Sequence, residues 1–409
     1  MNRKKKYIYI LSQVFPPDSA SVSQHLGDLV EELTKYKVFI TVLTANTDYE
    51  DPNKKYKSFQ SDNLAVKRIP QIYYDKKSFL SRAISFIYFN FSLFVYSVLV
   101  IKRNSTIVSL TTPPMLPAIV SFIAFFKGSK QVNWLMDLQP ELALANNDLT
   151  RNLFTNCLLS LSKSSYRNAN LNIVLDKHMK SYLKECNVHE KNIAIHPVWS
   201  PVEDYEYIDR LKNPFRVKNN FGDRFVVMYS GNHSAVHPLS TLLESAKLLH
   251  DRKQILFVFI GGGVRVSEVK EFSCKHNLTN IVQLPYQPRS QIKYSLSSGD
   301  MHVVVMGDSL VGYTHPNKVY GALNVGKPLA FIGPSKSHVS DIIAELSGNI
   351  SVRHGESKIL AEKIVKMSEL DNNEIQKLSS MNKRASHKYK KYPLVRNLVE
   401  DILNLAEFK

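Results

Sequence analysis

The groups best suited to hold an anion are concentrated in one run, MGDSLVGYTHPNKVYGALNVGKP, residues 306–328. A β-rich stretch feeds a polar, Gly-containing loop, and His315-Pro316-Asn317-Lys318 then opens a helical pattern, with Pro316 suited to a first turn. The amides of Asn317 and Lys318, the Lys318 ammonium and the helix dipole can converge there on a diphosphate. A lysine at a helix start is more often simply solvated. Here His315, the Gly-containing loop and the strand-end position argue for a site. Two further strand ends carry glycine turns, YSGNHS (229–234) and IGGGVR (260–265). They put Gly231, Asn232, Gly262 and Gly263 where backbone can approach a ligand closely. The frame of a dinucleotide fingerprint falls on Gly261, Gly263 and Val266, where a third glycine is required, and this excludes a nicotinamide dehydrogenase of that type.

In the first half, Asp137 follows the β-rich run QVNWLM (131–136). It either caps the next helix, a frequent use of aspartate at such a place, or holds a substrate hydroxyl; Glu141 is the second carboxylate in reach. Three separated cysteines, Cys157, Cys186 and Cys274, exclude a disulfide framework and a cysteine zinc cluster, and fit a reducing compartment. No DxD pair occurs, so no essential metal is expected. The 53 Lys and Arg against 36 Asp and Glu give a net charge of +17, which favours anionic partners: nucleic acid, a phosphorylated ligand or an acidic membrane face. No RNA- or DNA-binding module supports the first.

The elements that must position these groups follow from the hydrophobic pattern. Strand Tyr7–Val14, the loop FPPDSASVS, a helix to about Tyr36 and a strand Val38–Leu43 form a βαβ unit. TIVSL (106–110), QVNWLM (131–136) and NIVLD (172–176) then alternate with helical patterns, as a parallel doubly wound sheet requires. After a linker near 196–215 the rhythm restarts at 225–230, 255–261, 280–285, 301–306 and 328–333. With 409 residues, two Rossmann-like domains are expected, followed by an amphipathic helix from about Pro393.

Membrane signals are mixed. The start MNRKKKYIYILSQVF has the basic-then-apolar order of a signal peptide, but Gln13 interrupts the run and no small-residue cleavage site follows, so a first strand is expected. Ala83–Ile101 holds 19 residues without a charge, the length of a bilayer span. Ser81, Ser85, Tyr88, Ser92, Tyr96 and Arg103 form a narrow polar stripe along it, which suits a solvated or interfacial edge. A helix buried under the first sheet through Phe86, Phe89, Phe94 and Val98, an interfacial helix and a true span all remain open. Basic ends at Lys76, Lys77, Arg82, Lys102 and Arg103 suit anionic lipid. Ser105–Phe126 is broken by Pro113, Pro114 and Pro117 into a strand, a loop and a helix of about ten residues, too short to span.

In order and spacing, VFPPDSASVSQHLGDLVEELTKYKVFITVLTA, VSLTTPPMLPA, MDLQPELA, FVVMYSGNHS, VFIGGG, VQLPYQP and HPNKVYGALNVGKP resemble the retaining nucleotide-sugar glycosyltransferases of family 4, and most of all their bacterial surface-polysaccharide branch. The resemblance implies an α/β GT-B fold, two Rossmann-like parallel-sheet domains facing a central cleft. Residues 1–197 would bind acceptor, 213–385 nucleotide sugar, and 386–409 would form a helix crossing back to the N-terminal domain. Carried over residue by residue, it assigns Asp137, Lys318 and His315 to catalysis and Pro17, Ser19, Ser21, His25 and Glu141 to the acceptor. Gly231, Asn232, Gly262, Gly263, Tyr286, Gln287, Pro316, Asn317, Lys318 and Tyr320 fall to the donor, with Arg289 near the base. The departing diphosphate would help deprotonate the acceptor, so that its electrostatic stabilisation is the main catalytic term and no cofactor is needed. The chain departs from the family pattern at its two glutamates, which fall on Tyr313 and Gly321, and at the diphosphate-clamping Arg and Lys, which fall on Asn232 and near His237. The activity implied is sugar transfer from a nucleotide diphosphate to a saccharide or lipid-linked polysaccharide precursor, in the cytoplasm and peripheral to the inner face of the cell membrane. A non-catalytic GT-B subunit and a nucleotide-sugar epimerase are the alternatives.

Overall fold

The structure, a computed structural model, describes residues 6–18, 20–49, 51, 53–72, 79–200 and 208–407. Its strands form two sheets. The first is built from β1 (Tyr7–Leu11), β2 (Phe39–Ala45), β3 (Phe59–Gln60), β4 (Leu64–Ile69), β5 (Thr106–Leu110), β6 (Lys130–Trp134), β7 (Leu171–Val174) and β8 (Ile193–Ile195). The second holds β9 (Phe225–Ser230), β10 (Ile255–Ile260), β11 (Ile281–Leu284), β12 (Met301–Val305), β13 (Leu329–Ile332) and β14 (Ile350–Val352). Their orders are β3-β4-β2-β1-β5-β6-β7-β8 and β11-β10-β9-β12-β13-β14, parallel throughout except for the short antiparallel β3. In each sheet the chain winds outward on one side and then reverses to the other, at β1/β5 and at β9/β12. Such a reversal opens a crevice at the strand C-termini, where α/β sheets bind ligands. The α/β class expected from the sequence is the one observed.

Strands buried on both faces read as unbroken apolar runs, and β5, β10, β12 and β13 are buried at every residue. The first strand stops at Leu11, short of the expected Val14, because Ser12 Oγ turns the chain by hydrogen bonding to Val14 O and from Val14 N. Across β5, β6 and β7 runs a buried amide ladder: Ser109 Oγ donates to Asn133 Oδ1 at 2.9 Å, and Asn133 Nδ2 to Asn172 Oδ1 at 2.9 Å.

The residues gather into two compact units, neither contiguous in sequence. One is Met1–Val198 with Gly312–His315 and Tyr392–Lys409; the other is Trp199–Val311 with Pro316–Lys391. In the first unit, His196 Nε2 lies 2.7 Å from Asp401 Oδ2 and Lys130 Nζ donates to Leu405 O at 2.9 Å, which holds the helix Lys391–Glu407 in that unit.

The helix Phe79–Val100 buries Ser85, Phe89, Leu93 and Ser97, in part against the helix Leu116–Lys127. Of its expected polar stripe, Tyr88 and Arg103 are exposed, Ser81, Ser92 and Tyr96 are half-buried, and only Ser85 is buried. Ser85 Oγ is buried between Gln71 Nε2 and Ile72 O, while the opposite, apolar side is exposed. Of the four residues expected beneath the sheet, Phe89 is fully buried, Phe86 and Phe94 are half-buried and Val98 is exposed. Lys76 and Lys77 lie outside the described residues.

Candidate active site

In the second unit the glycine turns after β9 and β10 are laced together at the β9/β12 reversal. Gly231 N donates to Ile260 O at 2.8 Å, His233 N to Gly262 O at 2.7 Å, and Arg265 N to His233 O at 3.0 Å. This close approach requires glycine. Gly261 has φ +137°, and a Cβ there would stand 2.1 Å from Gly231 O. Lys318 runs over the paired turns. Its Cε lies 2.8 Å from where a Gly231 Cβ would be, and Nζ lies 5.2 Å from the Tyr229 ring centroid. Tyr286, after β11, lays its ring on Gly262 and directs its hydroxyl to Gly262 O at 3.3 Å. Asn232 is exposed, with its Oδ1 against Gly263, and Gln287 Nε2 donates to Pro285 O. Arg265, the other cation beside these turns, is engaged by Ala235 O and by Glu268 at 2.6 Å.

Two histidines complete this cluster. His233 is buried, and its ring nitrogens meet only the Gly231 and Gly262 backbone, short of well-formed hydrogen bonds; His237 Nδ1 and Asn317 Oδ1 are likewise buried without a well-formed bond. Burial, then the Lys318 charge, hold His233 down at about 4, and the same two causes keep His237 well below its ordinary value. Both imidazoles are therefore neutral near pH 7, and Lys318 supplies the positive charge facing the turns. Buried polar atoms without strong partners are uncommon in folded proteins, and here three side chains carrying them lie around Lys318. The histidine of YSGNHS was the available signal for His233, and sequence reasoning missed it.

The helix that Lys318 opens is only Lys318–Asn324, and Asn317 makes no side-chain cap, so the ammonium and the glycine turns matter more than the expected dipole. Tyr320, expected at the donor, is turned into the interior. It has no exposed surface, its hydroxyl bonds His338 Nε2 at 2.9 Å, and its ring packs tilted against Tyr389 with centroids 4.4 Å apart. Pro316 is buried.

In the first unit Asp137 is exposed beyond β6, and its Oδ1 accepts from Thr314 Oγ1 at 2.6 Å. It caps no helix, because the next one begins at Glu141 after Pro140. His315, expected in catalysis, is buried and paired. Its side chain has no exposure, and Nδ1 lies 2.7 Å from Asp176 Oδ2, whose other oxygen caps the helix Lys177–Glu185. Together with Leu138 N donating to Tyr313 O, these contacts seat residues 312–315 in the first unit. Glu141 is buried, receives the Tyr182 hydroxyl at 3.2 Å and is pushed up chiefly by burial, so it packs inward and offers nothing to an acceptor. His25 is likewise buried and held at about 4, while Pro17 and Ser21 are exposed; Ser19 lies outside the described residues. Sequence reasoning missed the network shaping the loop after β1. Asp18 accepts from Ala20 N and Tyr49 N, and Arg68 donates to the carbonyls of Phe15, Pro16 and Ala45.

Gly261→Ala is expected to lower the thermal midpoint by several degrees and to abolish any nucleotide-induced shift, since its Cβ would force the two turns apart. Gly222→Ala is the control: it also has positive φ, at +56°, but meets nothing within 4 Å, and should cost only about 1 kcal/mol with binding intact. Thermal-shift curves with and without UDP compare them; an intact shift in Gly261→Ala would remove the turn pair from the site.

No protein-family model matches the chain. It is 21% identical over 368 residues, 89% of its length and 90% of the relative's, to WbjE of Pseudomonas aeruginosa, named a probable glycosyltransferase. It is 23% identical over 172 residues, 41% of either chain, to WcaI of Escherichia coli K12, provisionally named a colanic acid biosynthesis glycosyl transferase. The crystal structure of Anabaena HepE with UDP and glucose superposes with a TM-score of 0.72 at 13% identity, covering 98% of this chain and 100% of that one. The two doubly wound sheets are those of the GT-B fold, and the relatives that match in sequence are named as glycosyltransferases.

Proposed function

We propose that the protein is a retaining glycosyltransferase that moves a hexosyl group from a nucleotide-diphosphate sugar to a lipid-linked polysaccharide precursor, at the inner face of the cell membrane. The observation that carries this reading is the cluster at the β9/β12 reversal: Lys318 laid over two laced glycine turns beside the buried, neutral His233 and His237. That arrangement suits a diphosphate, and the names of the sequence relatives supply the reaction class. The donor diphosphate faces Lys318, Gly231 and Gly262, and the base lies against the loop after β11 at Tyr286 and Gln287. As the glycosidic bond to the diphosphate breaks, negative charge grows on its oxygens, and Lys318 stabilises it without a proton transfer. The departing diphosphate takes the acceptor proton, and Asp137 holds a sugar hydroxyl.

The test is transfer by the purified protein from UDP-, GDP- and ADP-sugars to membrane-extracted lipid-linked saccharides, read by mass spectrometry. One donor class should give product with retained anomeric configuration, and EDTA should not slow it. A second reading, a non-catalytic partner, draws on Tyr313 and Gly321 standing where the family carries glutamates. Donor binding without transfer or hydrolysis across the panel would favour it and reject the first.

A further inference from the structure

We propose that the helices Phe79–Val100 and Leu116–Lys127 form a face that embeds in the headgroup layer of an anionic lipid bilayer, with the first helix lying in the membrane plane and not crossing it. The inference rests on this face alone and does not depend on the reaction proposed above. Within the first helix, Ile84, Ile87, Phe91, Val95, Val98 and Leu99 are exposed and recur at three- and four-residue spacing, so they line one side. Only 22% of the window Ala83–Val100 is buried. A helix packed in the core of a soluble domain would show the reverse.

The apolar surface continues onto the neighbouring helix, where Phe122, Phe125 and Phe126 are exposed. The Phe94 and Phe122 rings lie 6.1 Å apart, and Lys127 Nζ donates to Val98 O at 2.7 Å, so the two helices present one surface. Exposed patches of this kind mark interaction sites.

The buried side of the helix argues against a crossing. Phe89 and Leu93 belong to the first-unit core, Tyr9 Oη donates to Val100 O at 3.2 Å, and Asn90 Nδ2 donates to Pro114 O at 3.2 Å. A span would have to break all of these, whereas a helix lying flat keeps them and wets only its apolar side with lipid.

Charge selects the occupant. Between Lys76 and Met136 the sequence holds seven Lys and Arg and not one Asp or Glu. Lys102 and Arg103, just past the apolar stripe, are exposed. A second copy docking on itself through this face would oppose cation to cation, while an anionic headgroup layer complements it.

Flotation of the purified full chain with phosphatidylcholine vesicles, and with vesicles containing about a third phosphatidylglycerol, tests this. Binding is expected to the anionic vesicles, at least roughly tenfold weaker to the neutral ones, and lost in 1 M NaCl. Ile87→Ser/Phe91→Ser/Leu99→Ser should abolish it with the thermal midpoint unchanged. Lys102→Glu/Arg103→Glu, which leaves the apolar side intact, should reproduce the salt effect. Three results would overturn the proposal: no binding to anionic vesicles, association that resists salt and requires detergent, or concentration-dependent dimerisation in light scattering that the serine variant abolishes.

Discussion

Replacing Lys318 with alanine is expected to weaken nucleotide-sugar binding by about 1.5–3 kcal/mol, a rise in Kd of roughly 10- to 150-fold. The size follows from the company the side chain keeps. Its stem lies against Gly231, its ammonium faces the Tyr229 ring, and Arg265 is engaged by Glu268. The substitution removes the principal cation facing two glycine turns whose other polar contributions are backbone amides and neutral imidazoles. A secondary effect follows: the Lys318 charge helps hold His233 and His237 low, so its loss lets both rise. Residual binding in Lys318→Ala should therefore strengthen more steeply than the wild type on acidification from pH 7 to 5.5. Isothermal titration with UDP and GDP at the two pH values reads both effects. An unchanged Kd at pH 7 would remove Lys318 from the donor site.

The protein is expected to lose stability steeply between pH 6.5 and pH 4. His25 in the first unit and His302 in the second are buried and held at about 4, chiefly by burial. Unfolded, each returns to about 6.5. In this interval the unfolded chain binds more protons than the folded one, so stability present above pH 6.5 is withdrawn as the pH falls, and the loss levels off below about 4. Each histidine accounts for about 3 kcal/mol, at about 1.4 kcal/mol per pKa unit. His302 Nε2 donates to Leu296 O at 2.9 Å, so His302→Gln should flatten the pH response of the second unit while lowering its stability at pH 7. Urea midpoints measured at half-unit pH steps test this; midpoints that hold level from pH 7 to 4.5 would refute it.

Most of the second sheet was legible because β9, β10, β12 and β13 are buried almost throughout, whereas β14, three residues long with Ser351 exposed, leaves no such run and was not anticipated. FVVMYS begins and ends where the sequence places it, at Phe225 and Ser230. β4 was missed because LAVKRI carries Lys67 and Arg68. Arg68 there reaches the carbonyls of Phe15, Pro16 and Ala45, a polar use of a strand residue that hydropathy patterning cannot anticipate. Lys318 and the glycine turns were legible for a local reason: backbone that must come close and a cation beside it leave a compact signature. His315 and Tyr320 lie within three residues of Lys318 in sequence and were grouped with it. Their directions are set by Asp176, 139 residues away, and by His338 and Tyr389, and no spacing rule carries that information. The helix Phe79–Val100 stands out by composition, but which side it buries depends on its partners, Gln71 at Ser85 and Leu116 and Val120 in the core, which lie outside the helix's own pattern.

The discontinuity of the first unit sets an order of events during synthesis. Residues 392–407 belong to that unit, with Val395, Leu398, Val399 and Ile402 buried, and so do residues 312–315. A nascent chain that has emerged only as far as Val198 therefore carries the residues of all eight strands of the first sheet but not the helix Lys391–Glu407, nor Thr314 and His315, which bond Asp137 and Asp176. At about 5–20 residues per second, the ribosome needs roughly 10–40 s more to deliver them. During that interval the second unit can finish while the first waits with the apolar surface that Val395, Leu398, Val399 and Ile402 cover still open. Truncation at Lys391 should make that waiting state permanent.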